Sequence, residues 1–316
     1  MSHKTIGLLL MAFGTPRNHE QIEPFLTHIR NGAKPSEASL QHLAARYRAI
    51  GGSSPLATIT EAQGEALARA LDGRHDGTTF RVYIGYKHAA PFIEDAIAAM
   101  HADGITEAIS VVLAPHYSAL SVRAYNDRAI QSAISLDGPA LATTASWYNQ
   151  PKLVRYWATR VEAALAAVPE AGRSKAVVIF TAHSLPTRIL STSDPYPQEI
   201  KESARLIAEA AKLGHYELGW QSAGGTAEPW LGPDIRDLTR SLWKKEGYRT
   251  FIYCPIGFVS DHLEVLYDDD VECRAVVEEL GGTYVRVAMP NADPMFIDSL
   301  CEVVAGHLDH GQGAAA

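Results

Sequence analysis

The chain has 316 residues, 47% of them hydrophobic, with a mean hydropathy of -0.08 and a formal net charge of -8. That length exceeds the roughly 100–150 residues of an average domain, and the composition suits a globular protein with a sizeable core, so two α/β domains are the first expectation. The negative balance, with no Lys/Arg cluster interleaved with aromatics, argues against nucleic acid as a partner and leaves any anionic ligand to locally placed arginines.

The first apolar run starts at Ile6 and is followed by Phe13-Gly14-Thr15-Pro16 instead of a small-residue cleavage site, so it reads as a buried strand. Pro35-Ser36 precede a helix over Glu37 to Ala49, and Thr60 with Gln63 reads as a capping box for the next. Apolar runs then recur at Phe80 to Ile84, Ile109 to Ala114, Ala176 to Phe180, Tyr216 to Gly219, Phe251 to Tyr253 and Tyr284 to Val287, separated by amphipathic stretches. This alternation predicts an α/β protein with parallel sheets. It pauses in a polar, proline-containing stretch over Trp147 to Lys152, which divides the chain into 1–150 and 151–316. Two strand ends, Met11 to Pro16 and Thr181 to Pro186, resemble each other. No segment reaches the ~18 uninterrupted apolar residues of a membrane-spanning helix, so no membrane insertion is expected. Cys254, Cys273 and Cys301 fit neither a disulfide framework nor a CxxC metal site, which suits a reducing cytoplasm.

In open α/β sheets ligands bind beyond the carboxyl ends of the strands. The residues found there share a character: Phe13 after the first strand, Lys87-His88 after the second, His116-Tyr117 after the third, His183 after the fourth, and the run Gly257 to Glu264 near the end. His183 directly follows an apolar strand in a turn closed by Pro186, and a neutral imidazole there can ligate a first-row divalent metal or accept a proton near pH 7. Glu264, Asp268 and Glu272 recur every four residues and share a face if Leu263 to Val276 is helical. Such a row is either a solvated acidic face or a set of oxygen ligands leading a hydrated cation inward. Arg30, Arg46 and Arg48, with hydroxyls such as Ser54 and Tyr125, can hold the carboxylates of an acidic ligand. Gly51-Gly52 lacks the lysine and strand context of a phosphate loop, so a nucleotide site is discarded.

The segments Thr181 to Pro186, Trp230-Leu231-Gly232-Pro233-Asp234 and Gly257 to Glu264, with shorter matches along nearly the whole chain, resemble ferrochelatases, in particular the monomeric Gram-positive branch that acts on coproporphyrin III. The resemblance implies two Rossmann-like domains of the chelatase type around a porphyrin cleft, with the last helix packing back on the first domain. It assigns His183 and Glu264 to catalysis and to the iron, with Asp268 and Glu272 as further metal-handling residues. It places Arg30, Arg46, Tyr47, Ser54 and Tyr125 at the propionates, the Lys87-His88 pair at the cleft, and Phe13 facing the macrocycle. Relatives usually carry tyrosine where this chain has Phe13, and a basic residue where it has Asn31.

The expected reaction inserts Fe(II) into coproporphyrin III, with protoporphyrin IX insertion, a cobalt or nickel chelatase and a non-catalytic porphyrin or haem carrier as alternatives. No cofactor beyond the substrate iron and no 2Fe-2S cluster is expected, while the acidic row leaves room for an accessory Mg(II). A cytoplasmic monomer making transient contact with neighbouring haem-pathway enzymes completes the expectation.

Overall fold

A computed structural model describes residues 4–75 and 77–312. Their contacts divide the chain into two units, one running to Lys152 and including the segment from Asn291, the other spanning Leu153–Pro290.

The first unit runs β1 (Lys4–Ala12), α1 (Ile22–Ile29), α2 (Glu37–Ala49), α3 (Leu56–Leu71), β2 (Thr78–Tyr86), α4 (Ile93–Ala102), β3 (Glu107–Val112), α5 (Val122–Leu136) and β4 (Ala140–Thr143). All pairings are parallel, in the order β2-β1-β3-β4. Because β1 is central and covered on both faces, Leu8, Leu9, Leu10 and Met11 are all buried, which is why its sequence reads as one apolar run and does not alternate. Met11 and Leu9 pack with Ile93, Ile97 and Met100 of α4 and with Val112. Ser36 caps α2, its hydroxyl accepting from Ser39 N at 3.2 Å.

Two expectations are corrected here. The helix assigned to a Thr60 capping box begins at Leu56, and Thr60 is a wholly buried interior residue whose hydroxyl donates to the Leu56 carbonyl at 2.8 Å. Strand β4 had no counterpart in the sequence reading, because a four-residue edge strand with half of its residues exposed leaves little apolar pattern.

The second unit runs α6 (Pro151–Ala167, entering from the boundary), α7 (Glu170–Arg173), β5 (Ala176–His183), α8 (Tyr196–Ala210), β6 (Glu217–Gln221), α9 (Ile235–Lys245), β7 (Thr250–Cys254), a π-helix (Val265–Cys273), α10 (Arg274–Glu279) and β8 (Thr283–Arg286). Its sheet is again parallel, in the order β6-β5-β7-β8. The core gathers Val177, Ile179, Phe251, Tyr253, Leu242 and Val277. Each sheet therefore seats its first strand between its second and third, so Phe13 after β1 and His183 at the end of β5 occupy corresponding places. In an open sheet of this kind the strand whose neighbours lie in opposite directions opens a crevice at its carboxyl end.

The final helix, α11 (Pro294–Gln312), belongs to the first unit and packs on α3. Asp298 on it accepts from Arg74 at 2.8 Å and from Lys152 at 2.6 Å. Among the described residues no helix is long and apolar enough to cross a membrane.

Candidate active site

In the second unit, the end of β5 brings His183 to the carboxyl edge of the sheet. Gly257 makes this possible from the neighbouring loop: a Cβ there would stand 2.8 Å from the Ala182 Cα, so only glycine lets the chain after β7 press against the strand. The backbone of His183 is fixed by Tyr196, whose hydroxyl donates to its carbonyl at 2.9 Å, and by the Ser184 N to Gln221 O bond at 2.7 Å. His183 Nδ1 donates to the Ser184 carbonyl, which leaves Nε2 facing Glu264 Oε1 at 3.4 Å. Both side chains keep about a third of their surface, 31% and 33%, so the pair is open to a ligand. Burial opposes charge on the imidazole, but the Glu264 carboxylate, the Ser184 carbonyl and the more distant Asp268 outweigh it and raise its pKa to about 9.

Glu264 sits at the N-cap of the π-helix. Its amide and that of Val265 donate to His262 Nδ1 at 3.0 and 3.3 Å, and Gln221 Nε2 donates to its carbonyl at 3.2 Å. His262 thus caps the helix through an unprotonated nitrogen, in keeping with a pKa lowered first by burial. The segment expected as helical over Leu263 to Val276 is a π-helix from Val265 to Cys273, a wider coil frequently found at functional sites.

The acidic row is not gathered into a single ligand set. Asp268 is buried and its carboxylate accepts from Ser222 Oγ. Glu272 accepts from Arg236 at 3.0 Å, and the same guanidinium grips Asp234, the N-cap of α9. Among the described residues no group of three or more His, Cys, Asp or Glu side chains is arranged to hold a metal ion. Asp269, which the sequence reading passed over, is wholly buried, and burial together with the adjacent Asp268 pushes its pKa well up.

In the first unit, Phe13 follows β1 and is 45% exposed, far more than a core phenylalanine needs. Gly14, at φ +89°, lets this turn close on the loop after β2, where a Cβ would meet Ala89 Cβ at 2.9 Å. Lys87 N donates to Ala12 O at 2.9 Å and His88 N to Phe13 O at 3.0 Å, so the ends of β1 and β2 present Phe13, Lys87 and His88 side by side. His88 also meets Phe13 ring to ring at 4.7 Å.

Lys87 Nζ lies 4.9 Å from the centre of the Tyr125 ring, and burial followed by nearby Arg128 lowers its pKa. Arg128 holds the Lys87 carbonyl at 2.6 Å while bonding Glu94 with both forks at 2.8 and 2.7 Å. Arg30 is exposed at the C-cap of α1, and Arg46 is half-buried on α2. The remaining three are more enclosed than a carboxylate contact suggests. Tyr47 is 3% exposed with its hydroxyl 3.1 Å from Thr15, Tyr125 is part of the core, and Ser54 Oγ accepts from Leu56 N at 3.3 Å.

A Ferrochelatase family model matches residues 5–308. The chain belongs to the ferrochelatase family. It is 55% identical over 308 residues to the coproporphyrin III ferrochelatase of Anoxybacillus flavithermus, covering 98% of each chain. It is 54% identical to the corresponding protein of Geobacillus kaustophilus, covering 96% of each, and 54% identical to that of Bacillus subtilis, covering 98% of this ferrochelatase-family chain and 99% of the relative. Among solved structures, SirB from Bacillus subtilis with Fe3+ aligns at a TM-score of 0.55 with 14% identity, covering 98% of both chains. CbiX, the terminal enzyme for biosynthesis of siroheme in denitrifying bacteria, aligns at 0.51 with 14% identity, over 95% of this chain and 98% of that one. At such identities these two likenesses concern the fold alone.

Proposed function

We propose that this protein inserts Fe(II) into coproporphyrin III to give its iron complex in haem synthesis. The observation that carries the reading is the His183–Glu264 pair, an imidazole nitrogen and a carboxylate oxygen 3.4 Å apart at a strand end. The choice of porphyrin is supported by full-length relatives at 53–55% identity bearing that activity in their names.

The reaction replaces two pyrrole N–H protons by Fe(II), releasing two protons with no change in oxidation state. His183 and Glu264 fit both needs, as ligands to the incoming ion and as acceptors of protons. The Glu264 carboxylate favours the protonated imidazole, so His183 must first release that proton before it can ligate the cation or accept a proton from a pyrrole. Ser184 keeps Nδ1 occupied, which aims Nε2 alone at the metal. Asp268 and Glu272 serve delivery of the cation, or an accessory Mg(II), and Glu272 does so only by loosening its pair with Arg236.

Arg30, Arg46, Lys87 and His88 supply positive or donating groups for the porphyrin carboxylates, supported from behind by Tyr47, Ser54 and Tyr125, while Phe13 offers an exposed ring to the macrocycle. Binding energy from these remote groups can offset the cost of bending the ring. We place the reaction in the cytoplasm, carried out by a monomer.

The deciding experiment compares anaerobic insertion of Fe(II) into coproporphyrin III and protoporphyrin IX by the purified protein. A preference for the tetracarboxylate of about tenfold or more in kcat/KM is expected, because each extra charge-assisted contact is worth about 1.5–3 kcal/mol. Turnover of neither porphyrin would overturn the reading, and equal turnover would overturn the substrate assignment.

A further inference from the structure

The exposed edge of the first unit carries a histidine that neither the sequence reading nor the reaction uses. His28, in the last turn of α1, places its Nδ1 2.9 Å from Nδ1 of His88. Its ring stacks on Phe92 at 4.9 Å and 24° and meets the His88 ring edge-on at 5.1 Å and 76°. On its other side His88 rests against Phe13. Four rings thus run in series, Phe92, His28, His88 and Phe13, and the two imidazoles are held so that one Nδ1 must carry a proton and the other must accept it.

We propose that His28 is a positioning residue that fixes the proton of His88: His28 Nδ1–H donates to His88 Nδ1, and His88 thereby presents N–H at Nε2 as a hydrogen-bond donor to a porphyrin carboxylate. The direction of the bond follows from what surrounds His88. Burial, Lys87, His28 and Arg128 together lower its pKa to about 3, so His88 is neutral and owns a single proton. Glu94, the carboxylate beside Lys87 and Arg128, is engaged by both forks of Arg128, so the hydrogen bond that bears on the His88 tautomer is the one to His28. A neutral imidazole facing an anion must offer N–H, and it can do so from Nε2 only when Nδ1 is an acceptor. Lys87 and His88 then act as unlike donors, a charge and a neutral N–H, on one substrate group.

This inference rests on the proposed carboxylate-binding role of His88, but its direct test does not. In the full-length protein labelled with 15N at histidine, long-range 1H–15N spectra distinguish a protonated from an unprotonated ring nitrogen. His88 in the wild type is expected as the Nε2–H tautomer. In His28→Phe, which retains an aromatic ring against Phe92 but cannot donate, His88 is expected as a mixture of both tautomers. In His28→Gln, whose amide donates, the Nε2–H form is expected to return. Kinetically, His28→Phe is expected to raise KM for coproporphyrin III about three- to tenfold, the range one hydrogen bond spans, with kcat within twofold and partial recovery in His28→Gln.

A wild-type His88 that carries its proton on Nδ1, or a His88 tautomer unmoved by His28→Phe, overturns the proposal. An altered tautomer with an unchanged porphyrin KM also overturns it, because the proton would then be set for no ligand. If the wild type inserts no iron at all, the proposed reaction falls, while the spectra still decide whether His28 governs His88.

Discussion

Glu272 lies 3.0 Å from a guanidinium nitrogen of Arg236, a residue 36 positions earlier that simultaneously clasps Asp234 at the start of α9. The last carboxylate of the acidic row is therefore paired with a cation in the resting protein, and Asp268 accepts from the hydroxyl of Ser222.

Because Glu272 is already engaged by Arg236, Glu272→Gln is expected to raise the apparent KM for iron less than Asp268→Asn, for which a several-fold rise is expected, each changing kcat by no more than about twofold. Arg236→Gln should move the iron KM the opposite way by freeing Glu272. Steady-state iron titrations at saturating porphyrin check all three. An unchanged KM in the singles and in the double acid variant would mark the row as structural.

His183→Ala and Glu264→Gln are expected to lower insertion by about 10²–10⁴-fold, the range over which a positioned acid–base group contributes. Porphyrin affinity, read from quenching of intrinsic fluorescence, should stay within about threefold, because the residues proposed for the propionates belong to the other unit. Retained turnover in either variant would remove the pair from the reaction.

Phe13 supplies an aromatic ring but no oxygen. A phenolate can ligate ferric iron and a phenyl ring cannot, so the oxidised product complex of the wild type should lack a phenolate charge-transfer band, and Phe13→Tyr should introduce one and slow product release. Resonance Raman spectra of both complexes decide it. A phenolate signature already present in the wild type would mean that a different tyrosine reaches the iron.

Asp298, the anchor of α11, has its pKa lowered by its hydrogen bonds to Lys152 and then Arg74. A carboxyl whose folded pKa is depressed stabilises the fold above its unfolded value near 3.9, and the contribution is lost as pH falls through the folded value. The groups are 35–43% exposed, so screening holds the effect to about 0.5–1 kcal/mol. Asp298→Asn should therefore be less stable than the wild type at pH 7 in urea titrations at low salt, by a margin that narrows as the pH falls below about 4. A pH-independent difference would mean that packing, not charge, is what the substitution removes.

Strands and site residues were legible in the sequence to different depths, for physical reasons. The buried strands β1, β5 and β7 announce themselves because both faces are covered and most of their residues are apolar in one run, whereas β4 sits at a sheet edge and carries no such run. Thr60 looked like a cap because it stands three residues before Gln63, but its hydroxyl donates to the carbonyl four residues back within a helix already under way. The four-residue spacing of Glu264, Asp268 and Glu272 fits an α-helix equally well, so nothing in it betrays the π-helical winding. His183 and Glu264 stood out because strand ends are where α/β sheets bind ligands. Arg236 with Glu272 and His28 with His88 did not, since partners 36 and 60 residues apart become neighbours only through the fold.

The return of α11 to the first unit has a consequence for how the polypeptide matures. The second unit is continuous, from Leu153 to Pro290, and all of its sheet has been synthesised before α11 is made. The first unit begins earlier yet is completed later, when α11 covers α3 and Asp298 reaches Arg74 and Lys152. On the ribosome the apolar flank of α3 must wait for some 220 intervening residues, at roughly 5–20 residues per second, so it is exposed for roughly 10–45 seconds in every nascent chain. The half of the molecule that starts first is thus the half most dependent on chaperones until the last helix emerges.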